Sequence, residues 1–326
     1  MKLLKLVPDN TNIRFLRLRV PFYVISLLLM AASWALVATN GLNLGVDFVG
    51  GQMIRATFTE TEEAPVAELR RSIGGLGYGD PVIQRFGQPN EVSIRMRLPE
   101  GTGPDSTTLA DRMTQDITRA METEHPDVRI DGVDSVSGKV SEELFSTGMY
   151  ALLAAMVAIA IYIWVRFEWQ FGIGALFALI HDVSLTMGFF AITQLEFDLN
   201  IVAAILAIIG YSLNDTIVVY DRIRENLKKY RRMPMEELLD LSVNETLSRT
   251  VVTSLTTLTV LAALLILGPQ ATFGFAAAIA LGIFVGTYSS IYMAAPILIW
   301  LKVDSNSFVP KESATDRQER IVRGEG

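Results

Sequence analysis

Six apolar runs punctuate the chain: Pro21 to Thr39, Gly148 to Val165, Phe171 to Phe190, the first part of Ile201 to Asn226, Val251 to Leu267, and Phe273 to Leu301. Such runs are read as transmembrane helices, whose apolar length ranges over about 17–25 residues. Between the first two runs lies a polar stretch, Asn40 to Leu144, with a different pattern. Gln52 to Phe58 alternates like a half-buried strand, and Ala64 to Ile73 has helical spacing. Pro81 to Phe86 and Glu91 to Leu98 alternate again, joined by a turn at Gly87 to Asn90. Thr107 to Glu124 predicts a second helix and Val128 to Val136 a last strand. The order β-α-β-β-α-β is that of a ferredoxin-like split βαβ domain. The expected fold class is an α-helical polytopic membrane protein with six transmembrane helices and one ferredoxin-like α+β domain outside the bilayer.

Charge orients this arrangement. Lys and Arg crowd residues 1–19, the loop 221–249 and the tail 302–326, and are missing from the short turns at Gln194 to Asp198 and Gly268-Pro269. The positive-inside rule then puts both termini in the cytoplasm and residues 40–144 on the opposite side. The first run, 20–39, exceeds a signal-peptide core and is expected to remain as an anchor. Residues 145–301 hold the other five spans, and the polar tail is expected to be disordered. Half of the residues are hydrophobic and the mean hydropathy is +0.35, which suits a membrane protein. The net charge of -7 and the confinement of basic residues to loops give no nucleic-acid footprint. Cysteine is absent, so thiolate chemistry drops out. No nucleotide-binding glycine loop or nucleophile motif is present, and neither covalent chemistry nor a cofactor is expected.

Against this background a few polar residues stand out. Asp215, beside Asn214, lies in the inner third of the fourth run, where a charge costs on the order of 2.5–3.5 kcal/mol. Burial disfavours its charged form and a nearby cation favours it, so a group held between the two can load and release a proton. The fifth helix is entered through Arg249, and Thr253, Thr256 and Thr257 follow on the same helical face. Arg249 is a candidate partner for Asp215; its alternative role is a snorkelling rim residue. His181 and Asp182 form a second intramembrane pair, either a relay station or a structural hydrogen-bonding pair. No second ligand follows His181 at helical spacing, so a metal site is not expected. Gly274, Ala278, Gly282, Gly286 and Ser290 recur at four-residue spacing and predict a packing stripe, within the chain or against a partner. Gly45, Asp47, Phe48, Gly50 and Gly51 mark the junction between the first span and the soluble domain.

Several of these motifs are also those of a known family. GVDFVGG from Gly45, the His181-Asp182 pair, GYSLNDTIVVYDRIREN from Gly210, VNETLSRTVVTSLTT from Val243 and GTYSSIYMAAPILIW from Gly286 resemble the SecF family of bacterial protein translocase subunits. That family belongs to the resistance-nodulation-division superfamily of proton-driven exporters. The resemblance implies an inner-membrane protein with a ferredoxin-like periplasmic domain. It also implies SecD as partner, with the SecYEG channel, the SecA motor and the unfolded translocating polypeptide. It assigns the proton-path aspartate to Asp215 and the functional arginine to Arg249, and implies that a further aspartate of the relay lies in SecD. The basic N-terminus is expected to mark a separate subunit rather than a fusion. Two other readings stand beside this one: an assembly scaffold with buried charges for packing only, and half of a small-molecule or lipid exporter of the same superfamily.

Overall fold

The structure, a computed structural model, describes residues 8, 11–85, 87–97 and 106–303 of the chain. The tail from residue 304 and the outermost N-terminal basic residues lie outside the described residues, as do Phe86 and Leu98 at the expected strand ends. The soluble part contains β1 (Gly51–Phe58), α3 (Val66–Gly74), β2 (Val82–Arg85), β3 (Glu91–Met96), α4 (Ser106–Glu124) and β4 (Val128–Val136), preceded by α1 (Arg19–Asn40) and the single turn α2 (Val46–Val49). The strands form one antiparallel sheet in the order β2-β3-β1-β4, the ferredoxin-like arrangement. Strand alternation sends Ile54, Ala56 and Phe58 to one face, where they bury against Leu69 and Ile73 of α3 and Met113 and Ile117 of α4.

The remaining helices are α5 (Gly138–Arg166), α6 (Trp169–Thr193), α7 (Leu199–Lys229), α8 (Met235–Leu267) and α9 (Phe273–Trp300). With α1, extended by a 3-10 turn from Phe15, they make six helices long and apolar enough to span a membrane. Two of them begin well before their apolar runs. The first turn of α5 is fixed by Ser137, whose hydroxyl accepts the Val140 amide, so the helix starts within the stretch expected to be soluble. α8 starts at Met235 because Leu238, Leu239, Ser242 and Val243 form a buried stripe ahead of the apolar run.

Burial ranks the six helices. The most apolar windows of α6, α7 and α9 are 50–56% buried, against 11–17% for α1, α5 and α8. The centre of the bundle is therefore the α6–α7–α9 group, with the other helices presenting apolar surface outward. Close contact at this centre depends on glycine. A Cβ at Gly282 would lie 2.4 Å from Ile208 Cγ1, and one at Gly286 would lie 2.9 Å from Ser212 Cβ. The four-residue stripe on α9 thus lies against α7 of the same chain.

α9 is not uniform. A π-helical turn, Ser290–Ala294, precedes Pro296. Proline has no N–H and its ring clashes with the carbonyl four residues back, so the ladder there must open. Two tyrosines serve the carbonyls of this turn: Tyr23 of α1 donates to Met293 O at 2.5 Å, and Tyr220 of α7 to Ala294 O at 3.1 Å. Gly174 of α6 leaves the room for Tyr220, since a Cβ there would sit 2.3 Å from its hydroxyl.

Candidate functional site

Asp198 begins α7 by accepting the Ile201 amide at 3.0 Å, which fixes the start of the helix that carries Asp215. Asp215 follows about four turns later and is 2% exposed. Its Oδ2 is buried with no hydrogen-bond partner, while Thr287 of α9 hydrogen-bonds to the carboxyl group. Thr287 also meets Ser254 of α8 at 2.8 Å, so one hydroxyl pair connects α8 and α9 beside the acid of α7. Arg249 acts on Asp215 through space from an exposed position on α8.

The face of α8 turned into the bundle is not the one that carries Arg249. Thr250 and Ser254 are buried, with Thr246 one turn earlier. Thr253, Thr256 and Thr257 instead donate to carbonyls of their own helix, at Arg249 and Thr250, at Val252 and Thr253, and at Thr253 respectively. Arg249 and Thr256 share an exposed face. Asn214, adjacent to Asp215, is exposed as well.

His181 and Asp182 are completely enclosed, at 0% and 1% exposure. They bond to each other, His181 Nδ1 lying 2.9 Å from Asp182 Oδ1, although adjacent helix positions point about 100° apart. Asp182 Oδ2 accepts hydroxyls from Ser212 of α7 at 2.5 Å and Ser289 of α9 at 2.9 Å. One carboxyl group therefore ties the three central helices together one turn from Asp215. His181 packs beside the Tyr288 ring at 5.9 Å, and its Nε2 has no partner among the described residues. Tyr288 in turn meets Ser26 of α1 at 2.9 Å.

Four consecutive residues of α9, Thr287 to Ser290, are thus engaged one after another. Thr287 serves Asp215, Tyr288 serves α1, Ser289 serves Asp182, and Ser290 closes on the Thr287 carbonyl at 3.0 Å. The sequence reading singled out only Ser290 of these, as a packing residue. The signal was a polar tetrad interrupting an apolar helix just before a proline.

The junction with the soluble domain is equally built. Gly50 and Gly51 have φ of +70° and +119°, and a Cβ on Gly51 would fall 2.2 Å from the Met96 carbonyl oxygen. Asp47 accepts the first amide of α7, Leu199 N, at 2.9 Å. Phe48 packs edge-on to Phe145 of α5 and tilted on Phe197. Gly45 N donates to Phe197 O at 2.9 Å. The segment leading into the sheet is therefore hydrogen-bonded to the start of the helix that carries Asp215. Among the described residues no cluster suited to a metal ion occurs.

Comparison with known proteins agrees with this architecture. Residues 116–304 match the family described as protein export membrane protein SecD/SecF, C-terminal, and residues 35–62 match the SecD/SecF GG motif, which contains Gly50 and Gly51. The protein translocase subunit SecF of Cereibacter sphaeroides is 44% identical over 303 residues, covering 92% of this chain and 93% of that protein. SecF of Rickettsia bellii is 41% identical over 296 residues, covering 90% and 95%. The crystal structure of SecDF, a translocon-associated membrane protein of Thermus thermophilus, superposes with a TM-score of 0.81 at 35% identity, over 90% of this chain. A SecDF in a super-membrane-facing form gives 0.65 at 32% identity. This chain spans 39–40% of the length of those two SecDF chains.

Proposed function

Because this chain belongs to the SecF family of protein translocase subunits, we propose that it harnesses the proton-motive force, with SecD as its partner, to promote export of unfolded polypeptide across the inner membrane. Family membership carries the coarser function, a multi-pass membrane subunit of the Sec translocation machinery. In the proposed assembly both termini are cytoplasmic, the ferredoxin-like domain is periplasmic, and the SecYEG channel and SecA motor work alongside.

The observation that carries the proton-coupled reading is the state of Asp215. A carboxyl group 2% exposed, in a membrane helix, with one oxygen unpartnered and a guanidinium acting on it from outside the core, is placed to exchange a proton. Ionised, it draws Arg249 inward. Protonated, it keeps only the Thr287 hydrogen bond, and the pull between α7 and α8 relaxes. Such a change moves the equilibrium only insofar as the proton binds the two arrangements with different affinity. The start of α7 is bonded to Asp47 and Gly45, so a shift of α7 passes to the outer sheet through the Gly45 to Gly51 segment. His181 and Asp182 hold the surrounding helices in register during that shift.

The test is export driven by an imposed proton gradient in vesicles that hold the full chain with SecD and the channel. Asp215→Asn should leave the complex assembled and abolish the gradient-dependent part of export. Unchanged export by an assembled Asp215→Asn complex would instead favour a scaffold whose buried acids serve packing alone.

A further inference from the structure

We propose that Glu196, in the turn between α6 and α7, is a proton-operated latch that docks the outer sheet on the membrane bundle when neutral and releases it when ionised. The proposal rests on the reading above that this junction faces the proton-rich outer side. Residues 43–45, which lead into the sheet, are zipped to the turn: Leu44 bridges Phe197, Gly45 N donates to Phe197 O, and Phe197 N donates to Asn43 O at 2.8 Å. The sheet closes over this zipper through Arg95 of β3, which donates to the Leu44 carbonyl at 2.6 Å and to the Asn43 side chain. Asn43 donates onward to the Gln194 carbonyl at 2.8 Å.

Glu196 is half-buried where these parts meet. Its Oε1 is buried without a hydrogen-bond partner and stands so close to Gly45 that a Cβ there would be 2.9 Å away. The side chain borders a 110 Å³ cavity between the sheet and the membrane helices, with Arg55, Arg85 and Gln84 on the sheet side. The charges that face it are Arg95 from β3, Arg55 from β1, Asp198 from its own turn and Asp47 from α2. Both arginines have other work: Arg55 pairs with Asp134 at 2.5 Å, and Arg95 is spent on the zipper.

Loss of water therefore outweighs the attraction of Arg95, and the carboxyl pKa is pushed above the usual glutamate range, with Asp198 and Asp47 adding to the rise. A docked state that binds the proton more tightly than a state with Glu196 in water is favoured by protons. Docking is then fully present at acid pH and is lost as pH rises from the ordinary glutamate value through the raised one. A proton gradient with an acidic outside would hold the sheet down. A proton drawn inward would free it.

The chain has no cysteine, so a labelled pair is simple to install. Spin labels at Glu122→Cys on α4 and Ile266→Cys at the end of α8 report the distance between sheet and bundle, in the full chain with SecD in lipid nanodiscs. The wild-type background should give one narrow distance at about pH 4, below the ordinary glutamate value, and a second, broader population by pH 8. Glu196→Gln, an uncharged isostere, should hold the pH 4 distance throughout, with the pH-dependent shift abolished. A shift that persists in Glu196→Gln, or a wild-type distance unchanged over this range, overturns the latch. Asp215→Asn separates the two readings. It should lose gradient-driven export yet keep the shift, whereas loss of the shift in that variant alone would assign the titration to Asp215 and overturn the latch without touching the export reading.

Discussion

Replacing Gly282 by alanine tests whether contact between α7 and α9 sets the geometry around Asp215. The added Cβ would sit 2.4, 2.6 and 2.6 Å from Cγ1, Cδ1 and Cγ2 of Ile208, which is 1% exposed. Carbon atoms pack at ~3.5–4.0 Å, so the helices must separate by roughly 1 Å or Ile208 must leave its rotamer. Overpacking of this kind costs about 1–3 kcal/mol. Ile208→Ala removes all three clashing atoms, at the expense of a cavity worth about 2–5 kcal/mol. In the double variant the new methyl group enters the vacated space, so its cost should fall short of the sum of the two single-variant costs by at least about 1 kcal/mol. Equilibrium unfolding in detergent of the wild type, both single variants and the double variant measures this coupling. Additivity within about 0.5 kcal/mol would refute the reasoning, because independent sites behave that way. A second readout follows from Thr287, one turn along α9: Gly282→Ala alone should also depress gradient-driven export, and Ile208→Ala should restore part of it.

Two further outcomes follow from the same packing. Asp182→Leu strands the Ser212 hydroxyl and the His181 ring nitrogen, both buried, at about 1–3 kcal/mol per group, and leaves Ser289 only its bond to the Gly286 carbonyl, whereas Ser289→Ala removes one donor and costs about 0.5–1.5 kcal/mol; unfolding curves of the two should rank them in that order. Gly51→Ala sets a methyl group 2.2 Å from the Met96 carbonyl oxygen at φ +119°, and backbone strain of about 1–3 kcal/mol adds to the clash. Limited proteolysis should then cut the ferredoxin-like domain faster than in the wild type, with the membrane helices still intact.

Much of the architecture is legible in the chain because its signals are local. Apolar runs long enough for a bilayer and the β-branched residues of Val128 to Val136 need no tertiary knowledge, and the strand covers those residues. Asp215 was conspicuous for the same reason, since an acid within an apolar run is costly wherever the run packs. The starts of α5 and α8 were hidden because an amphipathic helix that continues past the membrane looks like ordinary soluble helix. Which face of α8 packs inward is not legible for a different reason. Threonine can satisfy its hydroxyl on its own helix, as Thr253, Thr256 and Thr257 do, so hydroxyl spacing alone does not reveal the packed side. Thr287, Tyr288 and Ser289 matter because folding brings α9 against α1, α6, α7 and α8 at once, and no single segment encodes that meeting. Glu196 likewise acquires its character from Gly45, distant in sequence and in contact only after folding.

The central claim is that Asp215 changes its proton occupancy as the gradient is used. Infrared difference spectroscopy on the full chain with SecD in vesicles, recorded with and without an imposed gradient, observes that proton directly. A protonated-carboxyl band that appears with the gradient and vanishes in Asp215→Asn is the predicted result. A band that survives in Asp215→Asn, or no carboxyl change while export proceeds, would contradict the account.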